Sequence, residues 1–78
     1  MSEEKKVFQS LHLMGGTYDP KTQTLRLTFV GGGAHVYTSV PPSVWHDLTH
    51  AGSPGSYHAQ HIRGNPEYPS YPLHQKKA

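Results

Sequence analysis

Hydrophobic and polar positions alternate most cleanly over Thr24–Val30, where Leu25, Leu27 and Phe29 fall on one side and Arg26 and Thr28 on the other. A period of two held over that length marks a half-buried β-strand. Ala34–Val40 returns as a partner strand after Gly31-Gly32-Gly33, whose glycines supply the positive φ of a tight reversal, and Pro41-Pro42 ends it. Upstream, Leu13–Tyr18 reads as a further strand with a bulge at Gly15-Gly16. Asp19-Pro20-Lys21-Thr22 joins the two as a type I turn, in which Asp bonds its own backbone and Pro presets φ.

The period changes after Pro42, a residue suited to a first helical turn. Val44, Trp45, Leu48 and Ala51 stand at i, i+1, i+4 and i+7, one apolar helical stripe, with Gly52 as its left-handed cap. Ser53-Pro54 restarts the pattern, and a short helix runs to Ile62 or Arg63 before Gly64. Tyr68-Pro69-Ser70-Tyr71-Pro72 is too rich in proline for helix and reads as an extended or polyproline-like strip. Residues 1–6 and 74–78, short and rich in Lys, Glu and Gln, read as solvated tails. The predicted architecture is therefore one α+β domain over residues 7–73. It comprises a three-stranded antiparallel meander followed by one to two short C-terminal helices packed on one face. Leu25, Leu27, Phe29, Trp45, Leu48 and Ile62 form its core.

The glycine hairpin admits two registers, and a one-residue slip turns every side chain over. A two-residue loop pairs Val30 with Gly33 and sets His35 and Tyr37 on the solvent face beside Arg26. A three-residue loop pairs Val30 with Ala34 and turns Tyr37 inward, beside Leu27. Alternation alone allows both.

Composition narrows the function classes. The chain has 78 residues, of which 33% are hydrophobic and 15% charged; a domain this small buries only about 60% of its unfolded surface. It has no cysteine, which excludes a disulfide-stapled scaffold, and its apolar runs are too short for a transmembrane helix. Met1-Ser2-Glu3-Glu4-Lys5-Lys6 lacks the apolar core of a signal peptide, so the expected location is cytoplasmic, away from membranes. The net charge is +2 with neutral histidines, and seven histidines add to it below neutral pH, a balance that leans toward anionic partners.

The acids Glu3, Glu4, Asp19, Asp47 and Glu67 are scattered, with no pair spaced for general acid and base. There is no nucleophile elbow, and the triple glycine lacks the helix a phosphate loop needs. A non-enzyme without cofactor is expected. His46 and His50 stand four apart and His58 and His61 three apart, so each pair could present two imidazoles on one helix side. Neither brings a cysteine or carboxylate at zinc-site spacing, and no metal site is assigned.

In their order, these landmarks resemble the KTSC domain, a family named for the C-terminal region of some lysyl-tRNA synthetases. The matching pieces are Tyr18-Asp19-Pro20, Thr24-Leu25 through Phe29, the glycine turn, Tyr37, Val40-Pro41-Pro42 with Val44-Trp45, and then Ser53, Gly55, Tyr57, Ile62 and Arg63. They cover about residues 10–73. Two positions depart from the family pattern: its Tyr-x-Tyr is here His35-Val36-Tyr37, and its Phe-Asn after the helical tyrosine is here His58-Ala59. The resemblance implies a short antiparallel sheet followed by helix, and it favours the three-residue loop with Tyr37 inward. It also implies a link to RNA.

The expected function is a small non-catalytic binding module for nucleic acid, RNA favoured. Arg26, Arg63 and His61 would meet phosphate, while Tyr68 and Tyr71 would stack on unpaired bases. The alternative is a stand-alone bacterial or phage module that binds and modulates a host enzyme, using an open sheet and an exposed Tyr-Pro strip.

Overall fold

The computed structural model describes residues 3–73. The strands are β1 (Glu4–Val7), β2 (Leu13–Asp19), β3 (Thr24–Phe29), β4 (Ala34–Tyr37) and β5 (Ser70–Leu73). Helix α1 (Pro42–Thr49) and helix α2 (Pro54–Tyr57), which runs on as a π turn over His58–Ile62, lie between β4 and β5 in the chain. The strands form one antiparallel sheet in the order β1-β2-β3-β4-β5. The α+β class stands, but the sheet has five strands, not three. Residues 74–78, expected as a tail, lie outside the described residues. Among the described residues, no helix is long and apolar enough to cross a membrane.

Both additional strands lack the signal that betrays the central ones. All four residues of β1 and all four of β5 are exposed, so neither alternates. β1 occupies part of the expected N-terminal tail and is held by pairing to β2, from Glu4 opposite Tyr18 to Val7 opposite Gly15. β5 is the Tyr-Pro strip, paired to β4 from Ser70 opposite Tyr37 to Leu73 opposite Ala34. Pro72 is tolerated there because an edge strand has one side with no ladder to complete.

The central hairpin turns one residue earlier than expected. The Phe29 N–H donates to the Gly33 carbonyl at 3.0 Å and the Gly32 N–H to the Phe29 carbonyl at 3.1 Å. The loop is therefore Val30-Gly31-Gly32, three residues long. Gly31, Gly32 and Gly33 all take positive φ, at 95°, 106° and 91°, which no other residue type does cheaply in succession. Val30 leaves the ladder because its N–H donates to the His12 carbonyl at 2.9 Å. Tyr37 consequently opposes Leu25 rather than Leu27. The shift preserves parity, so Tyr37 faces inward and is buried as expected, with Arg26 exposed on the opposite face.

The core lies between one face of the sheet and the helices. Leu13, Tyr18, Leu25, Leu27, Tyr37, Val40, Trp45, Leu48 and Ile62 belong to one buried cluster. Trp45 spreads over the sheet with its ring stacked on Tyr18, centroids 5.6 Å apart and planes 12° apart. The sheet admits the indole because Gly16 has no side chain: a Cβ there would stand 2.8 Å from Leu27 and 3.5 Å from Trp45. The Tyr18 hydroxyl donates to the Val40 carbonyl, and Trp45 Nε1 donates to Glu4 Oε1 at 2.9 Å, tying β1 to α1. Phe29, expected in the core, is only partly buried and packs against its edge. The bulge falls at Met14, where the register shifts between Leu13 and Gly15. Gly52 is not the cap of α1, since its φ is not positive. The helix ends instead on His50, whose N–H returns to the His46 and Leu48 carbonyls.

Candidate nucleic-acid interface

Residues opposed across an antiparallel ladder project from the same face, so the register maps the sheet face that the helices do not cover. One row crosses all five strands: Lys5, Thr17, Arg26, Val36 and Tyr71. With strands about 4.8 Å apart, that row is roughly 19 Å long. Lys5 and Arg26 are exposed, as is Tyr71 at 53%. Val36, between Arg26 and Tyr71 in the ladder, is buried. A second row adds Val7, Thr28, Ala34 and Leu73. A shallow groove of about 680 Å³ runs beside Arg26, Thr28, Gly33 and Leu73. Asp19 lies on this face at its far end, and it is engaged locally: its Oδ1 accepts from the Lys21 N–H at 3.0 Å. The arrangement sets two cations and a flat aromatic ring on one uncovered surface.

A second site lies across the sheet, between the β3–β4 hairpin and α2. It is a groove of about 610 Å³ bordered by His12, Phe29, His35, Tyr37, His58 and Arg63 among others. The Tyr37 hydroxyl and His58 Nε2 share a buried hydrogen bond of 2.7 Å. Phe29 packs on both His35 and His58, with centroids 5.8 and 5.4 Å away. Burial pushes the His58 imidazole down to a pKa of about 4, helped by nearby Arg63 and His35. It is therefore neutral at physiological pH. Burial likewise raises the Tyr37 phenol, with Arg63 pulling it partly back.

The five residues expected to bind therefore separate. Arg26 and Tyr71 share the open face, two strands apart. Arg63 is exposed at the end of the π turn and borders the groove on the other side. His61 is exposed in the π turn with its ring 4.6 Å from Tyr57, and Tyr68 is partly buried against the core. Of the histidine pairs one stays together and one parts: His46 and His50 stack at 4.2 Å, with His50 Nδ1 against the His46 carbonyl, whereas His58 is buried away from exposed His61. Sequence reasoning passed over Lys5, lost in a charged run, and the packing of His35 and His58 on one ring. The latter had left a trace. The two positions that depart from the KTSC pattern border the same groove and touch the same ring, Phe29.

Comparison with known proteins decides the family. The KTSC domain model matches residues 9–68. The chain belongs to the KTSC domain family. A crystal structure of a KTSC domain protein from Yersinia pestis superposes with a TM-score of 0.84 over 94% of this chain and 100% of that one, at 20% identity. That likeness carries the fold. A lysine–tRNA ligase from Nostoc punctiforme is 44% identical over 48 residues, 62% of this chain but 9% of the ligase. A protein from Tsukamurella paurometabola is 48% identical over 40 residues, 51% of this chain and 60% of its own length. The matched segments are thus a small part of the ligase and little more than half of the second relative. β1 and β5 lie outside the span of the KTSC model, whereas the superposition on the Yersinia pestis structure reaches 94% of the chain.

Proposed function

We propose that this KTSC domain is a non-catalytic nucleic-acid-binding module that receives single-stranded RNA on its open sheet face. The observation that carries the reading is the row Lys5–Thr17–Arg26–Val36–Tyr71. An extended strand laid across it would meet a cation, an arginine fork and a stacking platform in succession. Arginine grips phosphate through two parallel hydrogen bonds, and an exposed tyrosine stacks on any base without demanding sequence. The kinship with segments of lysine–tRNA ligases supports RNA as the partner class. A host-protein partner is the second reading, favoured by Val7 and Met14, which are 75% and 52% exposed beside that row.

The experiment is a salt series with a fluorescent single-stranded RNA. Phosphate-driven binding weakens steeply as salt rises, because bound counterions are released; an apolar protein interface changes little. Arg26→Ala should flatten the slope by about 0.7, one phosphate contact on a single strand. Tyr71→Ala should cost about 1–3 kcal/mol of affinity with the slope retained. Absence of salt-sensitive binding to RNA or DNA would refute the proposal and favour a protein partner.

A further inference from the structure

The groove between the β3–β4 hairpin and α2 uses none of the open-face row. Its volume, about 610 Å³, falls within the roughly 300–1,000 Å³ typical of small-molecule sites and accommodates a base, a sugar and a phosphate together. One wall is aromatic, formed by Phe29 and His35 over the fixed Tyr37–His58 pair. Leu11 and Val30 also line it, 89% and 52% exposed, and add apolar surface at its rim. Arg63 also borders the groove and makes no ion pair among the described residues. No carboxylate lines the groove among the described residues, while His12, His35 and His58 bring imidazole nitrogens that can read the heteroatoms of a ring edge. A cation beside an aromatic wall, with no acid to neutralise it, is complementary to a planar ligand that carries an anion.

We propose that this groove is a nucleotide site, with a phosphate monoester held by Arg63 and its base laid against Phe29 and His35. The site is separate from the open sheet face, so it stands or falls independently of RNA binding there. The same chemistry is offered by a free mononucleotide and by the phosphorylated end of a strand.

The test is amide NMR titration of the whole protein with AMP, with inorganic phosphate, and with a short RNA bearing or lacking a 5′-phosphate. AMP at millimolar concentration should perturb residues around Phe29, His35, His58 and Arg63. Arg63→Ala should weaken AMP by about tenfold or more, the loss of a charge-assisted hydrogen bond, whereas Arg26→Ala should bind AMP as the unaltered protein does. His35→Ala should weaken AMP while leaving inorganic phosphate unchanged. Arg63→Lys, which restores the charge, should recover phosphate binding and so separates a ligand contact from a structural one. At the groove residues, a tighter fit for the 5′-phosphorylated RNA than for the same RNA lacking that phosphate supports the site with a strand end as its ligand; a response to AMP with no difference between the two RNAs supports it with the free nucleotide. The assignment is overturned if AMP perturbs Lys5, Arg26 and Tyr71 instead. It is also overturned if AMP binds no better than inorganic phosphate, if the Lys variant stays inert while folded, or if nothing in the groove responds.

Discussion

The two faces of this sheet are built from alternate residues of the same strands, yet they are held in place by different physics. On the covered face, Tyr18, Leu25, Leu27 and Tyr37 lock against Trp45, Leu48 and Ile62. On the open face, Lys5, Thr17, Arg26 and Tyr71 occupy equivalent ladder positions with no element above them. Apolar area removed from water stabilises the first by roughly 25 cal/mol per Å². The second contributes little to stability, which leaves its side chains free to serve a ligand.

The contrast breaks most sharply at Trp45, the residue that covers the sheet. Trp45→Ala removes the ring stacked on Tyr18 and opens the space above Gly16. The expected cost is about 3–5 kcal/mol, a large share of the stability of a small domain. Thermal or urea unfolding reads it directly, and an unchanged melting curve would show that the indole does not hold the covered face together.

Next in size is an acid-sensitive contact at the groove end of that face. His58 takes up its proton near pH 4 in the fold, against about 6.5 in an unfolded chain. As pH falls below 6.5 the unfolded state therefore binds the proton first. The His58 contribution is fully present above pH 6.5 and is lost on the descent to pH 4, a change of about 3 kcal/mol at most. His58→Phe, which puts an aromatic ring that cannot titrate at that position, should flatten the pH dependence of the urea midpoint between pH 7 and 4.5. If the variant and the parent keep parallel pH profiles, the burial of a neutral imidazole is not what makes this face acid-sensitive.

The ease of reading each face from the sequence follows the same line. Leu25, Leu27, Trp45, Leu48 and Ile62 announce themselves by period, because burial on one side imposes alternation in a strand and a stripe in a helix. Glu4–Val7 and Ser70–Leu73 carry no such mark, since all their residues are exposed and their strand state comes from backbone pairing at the edges. The open row therefore stayed hidden although Arg26 and Tyr71 were each singled out: what joins them is β5 docking on β4. The hairpin was legible in parity but not in register. Three glycines permit the reversal to start at Val30 as readily as at Gly31, and a tertiary hydrogen bond to the His12 carbonyl decides it.

The link between the two faces is Glu4, a β1 residue whose carboxylate reaches across to the core side. Removing it by Glu4→Ala leaves the Trp45 indole N–H without its partner, at a cost of about 1 kcal/mol for a partly buried donor. Unfolding midpoints should move modestly and the tryptophan emission should shift to the red as water reaches the indole. Unaltered emission would mean that β1 is held by its ladder to β2 alone.

The smallest expected effect on stability is the most informative about the open face. Arg26 stands in the centre of its row, exposed, with no ion pair among the described residues. Its stem flanks Val36 across the ladder, but the covered core does not depend on it. Arg26→Ala should therefore change unfolding free energy by no more than about 0.5 kcal/mol, the usual range for a surface substitution. The same variant should lose salt-dependent affinity for single-stranded RNA. A residue central to the sheet that matters to a ligand and not to the fold is what separates a binding face from a merely uncovered one. Denaturation that tracked the loss of binding would instead place Arg26 among the residues that hold the sheet together, and the division between the two faces would fail at its middle strand.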